Sequence, residues 1–221
     1  MLHDFFRWIQ ETLGATASAE SWSQQFRGSL NLWGITEGTH VLTLMVFAGS
    51  IWLVDLRLMG VAFKSTPFSK LNDKVLPYTV VSFAVLIVTG IALFLAKPVD
   101  YYHNVWFRAK MIFLIIAALN IFWFHVKVQK NEAEWDEADK PPTSARLSGA
   151  ISLSSWVIVI ILGRFIAYNW YDCGKPLPGF VNWFAECAST PSGIVTADAA
   201  PPLVFPASGA ESSTSQLAQG R

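Results

Sequence analysis

Three basic side chains lie inside hydrophobic runs of this sequence, where an ionisable group is costly. His40 lies near the start of one run, Lys110 near the start of another, and Arg164 near the end of a third. An ionisable residue within a membrane helix is rare unless it belongs to a functional site. Imidazole suits a transition metal or haem iron, and a guanidinium suits a carboxylate. These residue types therefore predict a bound group that is anionic or contains a metal.

The elements that position these residues are four hydrophobic segments. Apolar residues make up 52% of the 221-residue chain and charged residues 14%, a composition typical of an integral membrane protein. The segments are long enough to cross a bilayer, and their connections are short. We therefore predict an all-α antiparallel bundle of four transmembrane helices. The predicted spans are residues 35–59, 75–96, 105–126 and 146–171.

Polar or amphipathic segments flank the predicted bundle. In residues 2–13, apolar and polar side chains alternate at helical spacing. The segment is too short and too charged to span a membrane, which favours a helix in the plane of the membrane interface. We divide the chain into an N-terminal interfacial segment, a transmembrane domain and a C-terminal segment, covering residues 1–31, 32–172 and 173–221. Residues 189–221 are rich in Ser, Thr, Ala, Pro and Gly and cannot form a core alone. We expect a periplasmic or membrane protein partner to contact this tail.

Lysine and arginine placement predicts the orientation in a bacterial inner membrane. The loops after the first and third spans carry more of these residues than the other connection or the termini, so we expect both termini in the periplasm.

Cys173 and Cys187 follow the fourth span and form the single possible pair. A disulfide there would suit an oxidising compartment; the alternative is two free thiols. Zero net charge without a basic block excludes nucleic acid as an expected partner.

The predicted topology brings His40, Lys110 and Arg164 to one depth on three different helices. Thr89 and Gly90 of the second span add a hydroxyl and a position for close approach at the same level. Taken singly, Lys and Arg near helix ends extend to the headgroups, and a lone His is a packing residue. Packing gives no reason for three such residues at one depth, whereas a bound cofactor does. We therefore expect haem b, with His40 as an axial ligand.

Other polar residues of the spans divide between two levels. At the periplasmic surface, His103 is the less favoured candidate for the second ligand, and Arg108 could join Arg164 in holding propionates. At the opposite end of the first span, Asp55 is expected to have a structural role. Its expected partner is one of the basic residues Arg57, Lys74 and Arg146.

The motifs of the spans resemble a known group of small membrane haem proteins. The stretches are Thr-His-Val-Leu from Thr39, Val-Asp-Leu-Arg-Leu-Met-Gly from Val54, Arg-Ala-Lys from Arg108 and Gly-Arg-Phe-Ile-Ala-Tyr from Gly163. Over residues 35–171 they resemble an uncharacterised bacterial four-helix family. They also resemble copper-resistance D-like domains and HemJ-type protoporphyrinogen oxidases. The HemJ-type resemblance implies that His40 and Lys110 matter for haem binding and activity, and we favour Lys110 as the second ligand.

The favoured function is one-electron transfer between the quinone pool and a periplasmic partner, with the lipid bilayer as the environment. If the chain is an enzyme, the resemblance implies a membrane haem oxidoreductase. Two alternatives stay open at this stage. One is an accessory subunit of a larger membrane complex without a cofactor. The other is a copper or divalent-metal membrane protein that uses His40 and His103.

Overall fold

The fold is an all-α bundle with four long helices. The computed structural model describes residues 2–14, 21–136, 138, 140–168, 171, 173 and 177–187, and none of these residues forms a β-strand. The helices are α1 Leu2–Thr12, α2 Trp22–Gly28, α3 Leu30–Leu58, α4 Phe68–Ala96, α5 Pro98–His103, α6 Val105–Trp123, α7 Glu132–Trp135, α8 Thr143–Ile166 and α9 Gly179–Ala185. A π-helical turn, Phe124–Val128, and a 3-10 turn, Gln129–Asn131, join α6 to α7.

Four helical segments in the described part of the chain are long and apolar enough to cross a membrane. They are Leu30–Leu58, Phe68–Ala96, Val105–Trp135 and Thr143–Ile166. The predicted all-α membrane bundle is confirmed, and each segment overlaps one of the four predicted spans. The protein is therefore a multi-pass membrane protein with a lipid bilayer as its environment.

Contacts between the connections show that successive long helices run antiparallel. At one end, Arg57 in the last turn of α3 donates hydrogen bonds to the carbonyls of Thr66, before α4, and Asp136, after α6. At the other end, Arg108 in the first turn of α6 donates a hydrogen bond to the carbonyl of Phe184 in α9. We call the first the loop end and the second the cap end. The loop end carries residues 59–67, 129–136, 138 and 140–142, and the cap end carries α1, α5 and α9.

Helix α4 begins earlier than the sequence predicted. Its first residue is Phe68, so the predicted start at residue 75 was wrong and Pro77 lies inside the helix. The largely polar residues 69–74 are helical because their end is anchored from another loop. The Asp136 carboxylate accepts hydrogen bonds from the Ser69 backbone N–H at 2.7 Å and from the Ser69 hydroxyl at 2.6 Å. Such caps satisfy backbone groups that the first turn leaves unpaired.

The middle of the bundle is closed by apolar packing. Helix α3 packs on α4 and α8, and α8 packs on α6. At the centre, the Phe47 ring meets Trp156 edge-on with ring centroids 4.6 Å apart, and Val159 and Ala117 are buried in the same cluster. An aromatic pair of this kind contributes about 0.5–1.5 kcal/mol beyond its buried area. This cluster separates the polar residues of the cap end from those of the loop end.

The cap end is assembled from segments near both ends of the described chain. Helix α1 packs on α5 through the Phe6 ring, whose centroid lies 5.1 Å from that of Tyr102. Cys173 and Cys187 are joined as a disulfide with Cα atoms 5.1 Å apart, so the predicted pairing is confirmed and the free-thiol alternative is not. Residues 189–221, for which a protein partner was expected, lie outside the described residues.

Candidate functional site

The His40 imidazole is held by a defined hydrogen-bond chain from α3 to α4. Its Nδ1 lies 2.8 Å from the Thr89 hydroxyl oxygen, which in turn donates to the Val85 carbonyl at 2.7 Å. A hydroxyl carries one proton, so this network assigns the Nδ1 proton to His40 and makes Thr89 its acceptor. The assignment leaves Nε2 as a nitrogen with an open lone pair. Among the described residues, no hydrogen-bond partner faces Nε2.

A glycine on α4 makes room for the imidazole. A Cβ atom at Gly90 would lie 3.3 Å from Cε1 of His40, which is tighter than most real Cβ contacts. The absence of a side chain at Gly90 therefore lets the ring lie against the α4 backbone beside Thr89. Sequence analysis identified both α4 residues at the correct level, and the structure shows that they contact the same ring.

Lys110 packs against a second glycine, Gly163 of α8. A Cβ atom at Gly163 would lie 3.4 Å from the Lys110 Nζ atom. The side chain is half-buried, and it forms no hydrogen bond or ion pair with another described residue. Lys110 is also close enough to His40 for their positive charges to repel when both are protonated. The structure therefore brings an imidazole and an unpaired amine together at the cap-end level of the bundle.

Arg164 points away from this pair. The residue is exposed, and its guanidinium carbon lies 5.3 Å from the ring centroid of Tyr168 on its own chain segment. Its neighbour Gly163 is the α8 residue that faces Lys110. The sequence placed Arg164 at the right depth but missed the role of Gly163. The available signal was that a small residue directly precedes Arg164. Arg164 thus lies beside the site at the bundle surface.

Arg108 fastens α9 to the start of α6. Its Nε donates to the Tyr102 carbonyl at 2.7 Å, and a terminal nitrogen donates to the Phe184 carbonyl. Its other terminal nitrogen lies 3.5 Å from the Glu186 carboxylate, and the guanidinium covers the Tyr102 ring at 4.3 Å. The Tyr102 hydroxyl also donates to Glu186. These contacts commit Arg108 to a structural role in the cap.

His103 belongs to the same cap. Its Nδ1 donates to the Ala185 carbonyl at 2.9 Å, while Nε2 is buried without a hydrogen-bond partner. The ring packs on His3 of α1 with centroids 5.2 Å apart. Burial lowers the pKa of His103, and the charges of His3 and Arg108 lower it further against the opposing hydrogen bond to Ala185. The neutral imidazole is therefore the form that the cap accommodates.

The described residues contain no group of three or more His, Cys, Asp or Glu side chains that could hold a metal ion. Haem iron differs, because the porphyrin supplies four ligands and the protein supplies one or two. His40 and Lys110 offer two nitrogen atoms of that kind.

The comparison with family models settles the relationship of the chain to other proteins. Residues 20–169 match the model described as a family of unknown function, DUF6644. The chain belongs to the DUF6644 family. The DUF6644 match spans α2 to α8 and so includes His40, Thr89, Lys110 and Asp55, while α1 and α9 lie outside it. A search of curated proteins and a search of solved structures each found no match.

Proposed function

We propose that this protein binds haem b at the cap-end level of the bundle, where His40 would hold the iron, and that it carries single electrons across part of the membrane. The observation that carries the proposal is the chain His40–Thr89–Val85. Histidines that ligate a metal through Nε2 donate their other ring proton to a fixed acceptor, which orients the ring and raises its basicity. The protein's own side chains give His40 that arrangement.

Lys110 is the proposed second ligand. Its amine lies beside Gly163, near His40, and no carboxylate among the described residues pairs with it. The resemblance to HemJ-type proteins supports the same two residues. Arg108 is not included, because its guanidinium holds α9, and Arg164 is not included, because it is exposed and lies over Tyr168.

Haem b, when bound, supplies one-electron chemistry at a potential set by its axial ligands. The residues of this chain orient the ligands and exclude water. Thr89 fixes the ring of His40, the two glycines let His40 and Lys110 lie against the backbones of α4 and α8, and the apolar cluster around Phe47 excludes water from the loop-end side. In a membrane these features suit electron exchange between quinone and a protein partner at the cap end.

The proposed orientation puts the cap end in the periplasm of a bacterial inner membrane. The loop-end connections carry the excess of Lys and Arg, which favours a cytoplasmic location. The disulfide between Cys173 and Cys187 is at the cap end, where an oxidising compartment would maintain it.

The absorption spectrum of the protein purified with an ample haem supply tests this proposal. We expect a Soret band that is lost in His40→Ala and retained in His125→Ala. His125 is the matched control, because it is an exposed membrane-helix histidine whose Nδ1 donates to Ile121 of its own helix. Thr89→Val should weaken haem binding by about 10–100-fold, as loss of a ligand's supporting hydrogen bond does. Thr79→Val, on the same helix, should leave it unchanged.

A folded wild-type protein that stays colourless would reject the haem proposal. Metal analysis of that protein would then separate the two alternatives. Bound copper or zinc would favour a metal protein, and a metal-free protein would favour an accessory subunit. A Soret band of equal intensity in His40→Ala would keep the haem but remove His40 as its ligand.

A further inference from the structure

Asp55 is a buried carboxyl group in the loop-end half of the bundle. The residue is 3% exposed, and its Oδ2 atom is buried without a hydrogen-bond partner. It lies on α3 about four turns from His40, so it belongs to neither the imidazole site nor the cap. The expectation from sequence was an ion pair with Arg57, Lys74 or Arg146. The structure shows none of these pairs.

Arg57 is fully buried but is directed elsewhere. Its Nε donates to the Thr66 carbonyl at 2.7 Å, and one terminal nitrogen donates to the carbonyls of Asp136 and Ala138 at 3.0 and 3.2 Å. Residues two positions apart on a helix do not face each other, so Arg57 and Asp55 point to different sides of α3. Arg57 therefore holds the two loops together and leaves the Asp55 carboxyl without a counter-charge.

The other elements packed on this part of α3 bring hydroxyls and a glycine. Ser152 of α8 lies next to the carboxyl, close enough for its hydroxyl to interact with it. Gly149 of α8 lies so close that a Cβ atom there would be 2.9 Å from the Asp55 backbone oxygen. The remaining charged residues near this end of α4 and α8 are all exposed, and none forms an ion pair with Asp55: Lys70, Asp73, Lys74 and Arg146.

Buried polar groups continue from Ser152 along α8. Ser148 and Ser155 are buried at helical spacing on the same face of α8. The Ser148 hydroxyl donates to the Asn120 side chain at 3.2 Å, and the Asn120 amide donates to the Ser148 carbonyl at 3.0 Å. A row of buried polar groups therefore lies on this face of α8 at the loop end, beside an apolar cluster that includes Leu58, Phe68 and Phe124.

An ionised carboxylate without a counter-charge in a low-dielectric interior is strongly disfavoured, and the group takes up a proton instead. We propose that Asp55 is a proton-binding site: it is a neutral carboxylic acid at rest and exchanges its proton, with Ser152 as neighbour, with the aqueous phase at the loop end. The step is the binding of one proton by one carboxylate oxygen and its return to water. Intramembrane carboxyls that mark proton paths have this character. The proposal does not depend on haem.

Infrared spectroscopy of the full-length protein in lipid at neutral pH tests the proposal. We expect a carboxylic-acid C=O band that is absent from Asp55→Asn and present in Asp73→Asn, the exposed control on α4. Ser152→Ala should move the band to higher frequency, because the neighbouring polar hydroxyl is gone. Transfer to D2O should lower the frequency, which reports exchange with the aqueous phase.

The contrary outcomes are equally specific. If no band distinguishes wild type from Asp55→Asn, the carboxyl is ionised and the proposal fails. A band that does not respond to D2O would show a sealed acid and would also overturn it. If Asp55→Asn does not fold, the Ser152→Ala shift in a protein that retains Asp55 decides the assignment: an unmoved band rejects Asp55. A colourless protein with the expected bands would reject the haem proposal and keep this one.

Discussion

The histidines of this chain differ in what their two ring nitrogens meet. His40 has Nδ1 bound to a side-chain hydroxyl from another helix and Nε2 open inside the bundle. His103 also has Nδ1 bound and Nε2 open, but its ring packs against His3 in the cap. His125 is exposed and bonds its own helix. His40 is the one whose surroundings combine membrane depth, a fixed tautomer and a nearby amine.

A substitution of one methyl group at Gly90 tests the fit around His40. Gly90→Ala places Cβ 3.3 Å from the His40 Cε1 atom, so the ring must move by a few tenths of an ångström. We expect about tenfold weaker haem binding, measured by titration of the apoprotein, because ligand orientation controls affinity. Gly49→Ala is the control, since nothing lies within 4 Å of its Cβ position. Equal affinity in both variants would contradict the proposed place of His40 at the haem.

At the scale of elements, α3 and α8 approach each other closely at the loop end. Gly149 faces the Asp55 carbonyl, and Leu58 and Met59 lie beside it at 3.1 and 3.3 Å from a Cβ position. Small residues allow such approaches, and in lipid these packing contacts supply much of the stability between helices. The geometry leaves no space for a side chain at residue 149.

Gly149→Ala should therefore separate α3 from α8 and destabilise the bundle. We expect a loss of about 1–3 kcal/mol in the free energy of unfolding, as for overpacked sites in general. Reversible denaturation in detergent or lipid measures this change. Gly49→Ala on α3 should be close to neutral, and a Gly149→Ala protein as stable as this control would contradict the packing described for α3 and α8.

At the scale of the whole molecule, the cap connects the membrane bundle to segments before and after it. Helix α1 reaches the bundle through α5, and α9 is held by Arg108 and His103 and by the disulfide to Cys173. The DUF6644 match covers neither α1 nor α9. The cap thus combines α5, which lies inside the match, with α1 and α9 at the end of the four-helix unit nearer to His40.

The cap should loosen in mild acid. The pKa of His103 is lowered in the folded protein, mainly by burial, so the unfolded cap binds the proton more readily. The contribution of neutral His103 to the stability of the cap is therefore complete above the ordinary histidine pKa of about 6.5. It is lost as the pH falls from there towards the pKa of His103 in the folded protein. The Tyr102 hydrogen bond and Arg108 lower the pKa of Glu186, so its carboxylate stays ionised across this range.

Hydrogen exchange in Gly179–Ala185, corrected for intrinsic rates, measures this effect at pH 7.5 and pH 5. Protection should be lower at pH 5 in the wild type. His103→Asn keeps a donor near the Nδ1 position but does not titrate, so its protection should be the same at both pH values. A wild-type cap whose protection is unchanged would show that His103 does not control docking.

The sequence by itself determined the membrane class, the four spans and the only possible partner of each cysteine, while the structure decided that the two are bonded. Bilayer thickness dictates the length of a hydrophobic run, and a single pair of cysteines leaves one choice. The sequence also placed His40, Thr89 and Gly90 at one level, since depth follows from residue count along a helix. The start of α4 was wrong, because Asp136, far along the chain, stabilises its polar first turn.

Only the tertiary structure decided which way each side chain points. Neighbouring positions on a helix differ by about 100° in direction, and hydropathy does not record how a helix is rotated. Gly163 therefore faces Lys110 while Arg164 faces outward, and Asp55 faces Ser152 while Arg57 faces two loops. Sequence alone supplied charged residues at matching depths. Packing decided that one of them, Asp55, has no charged partner among the described residues.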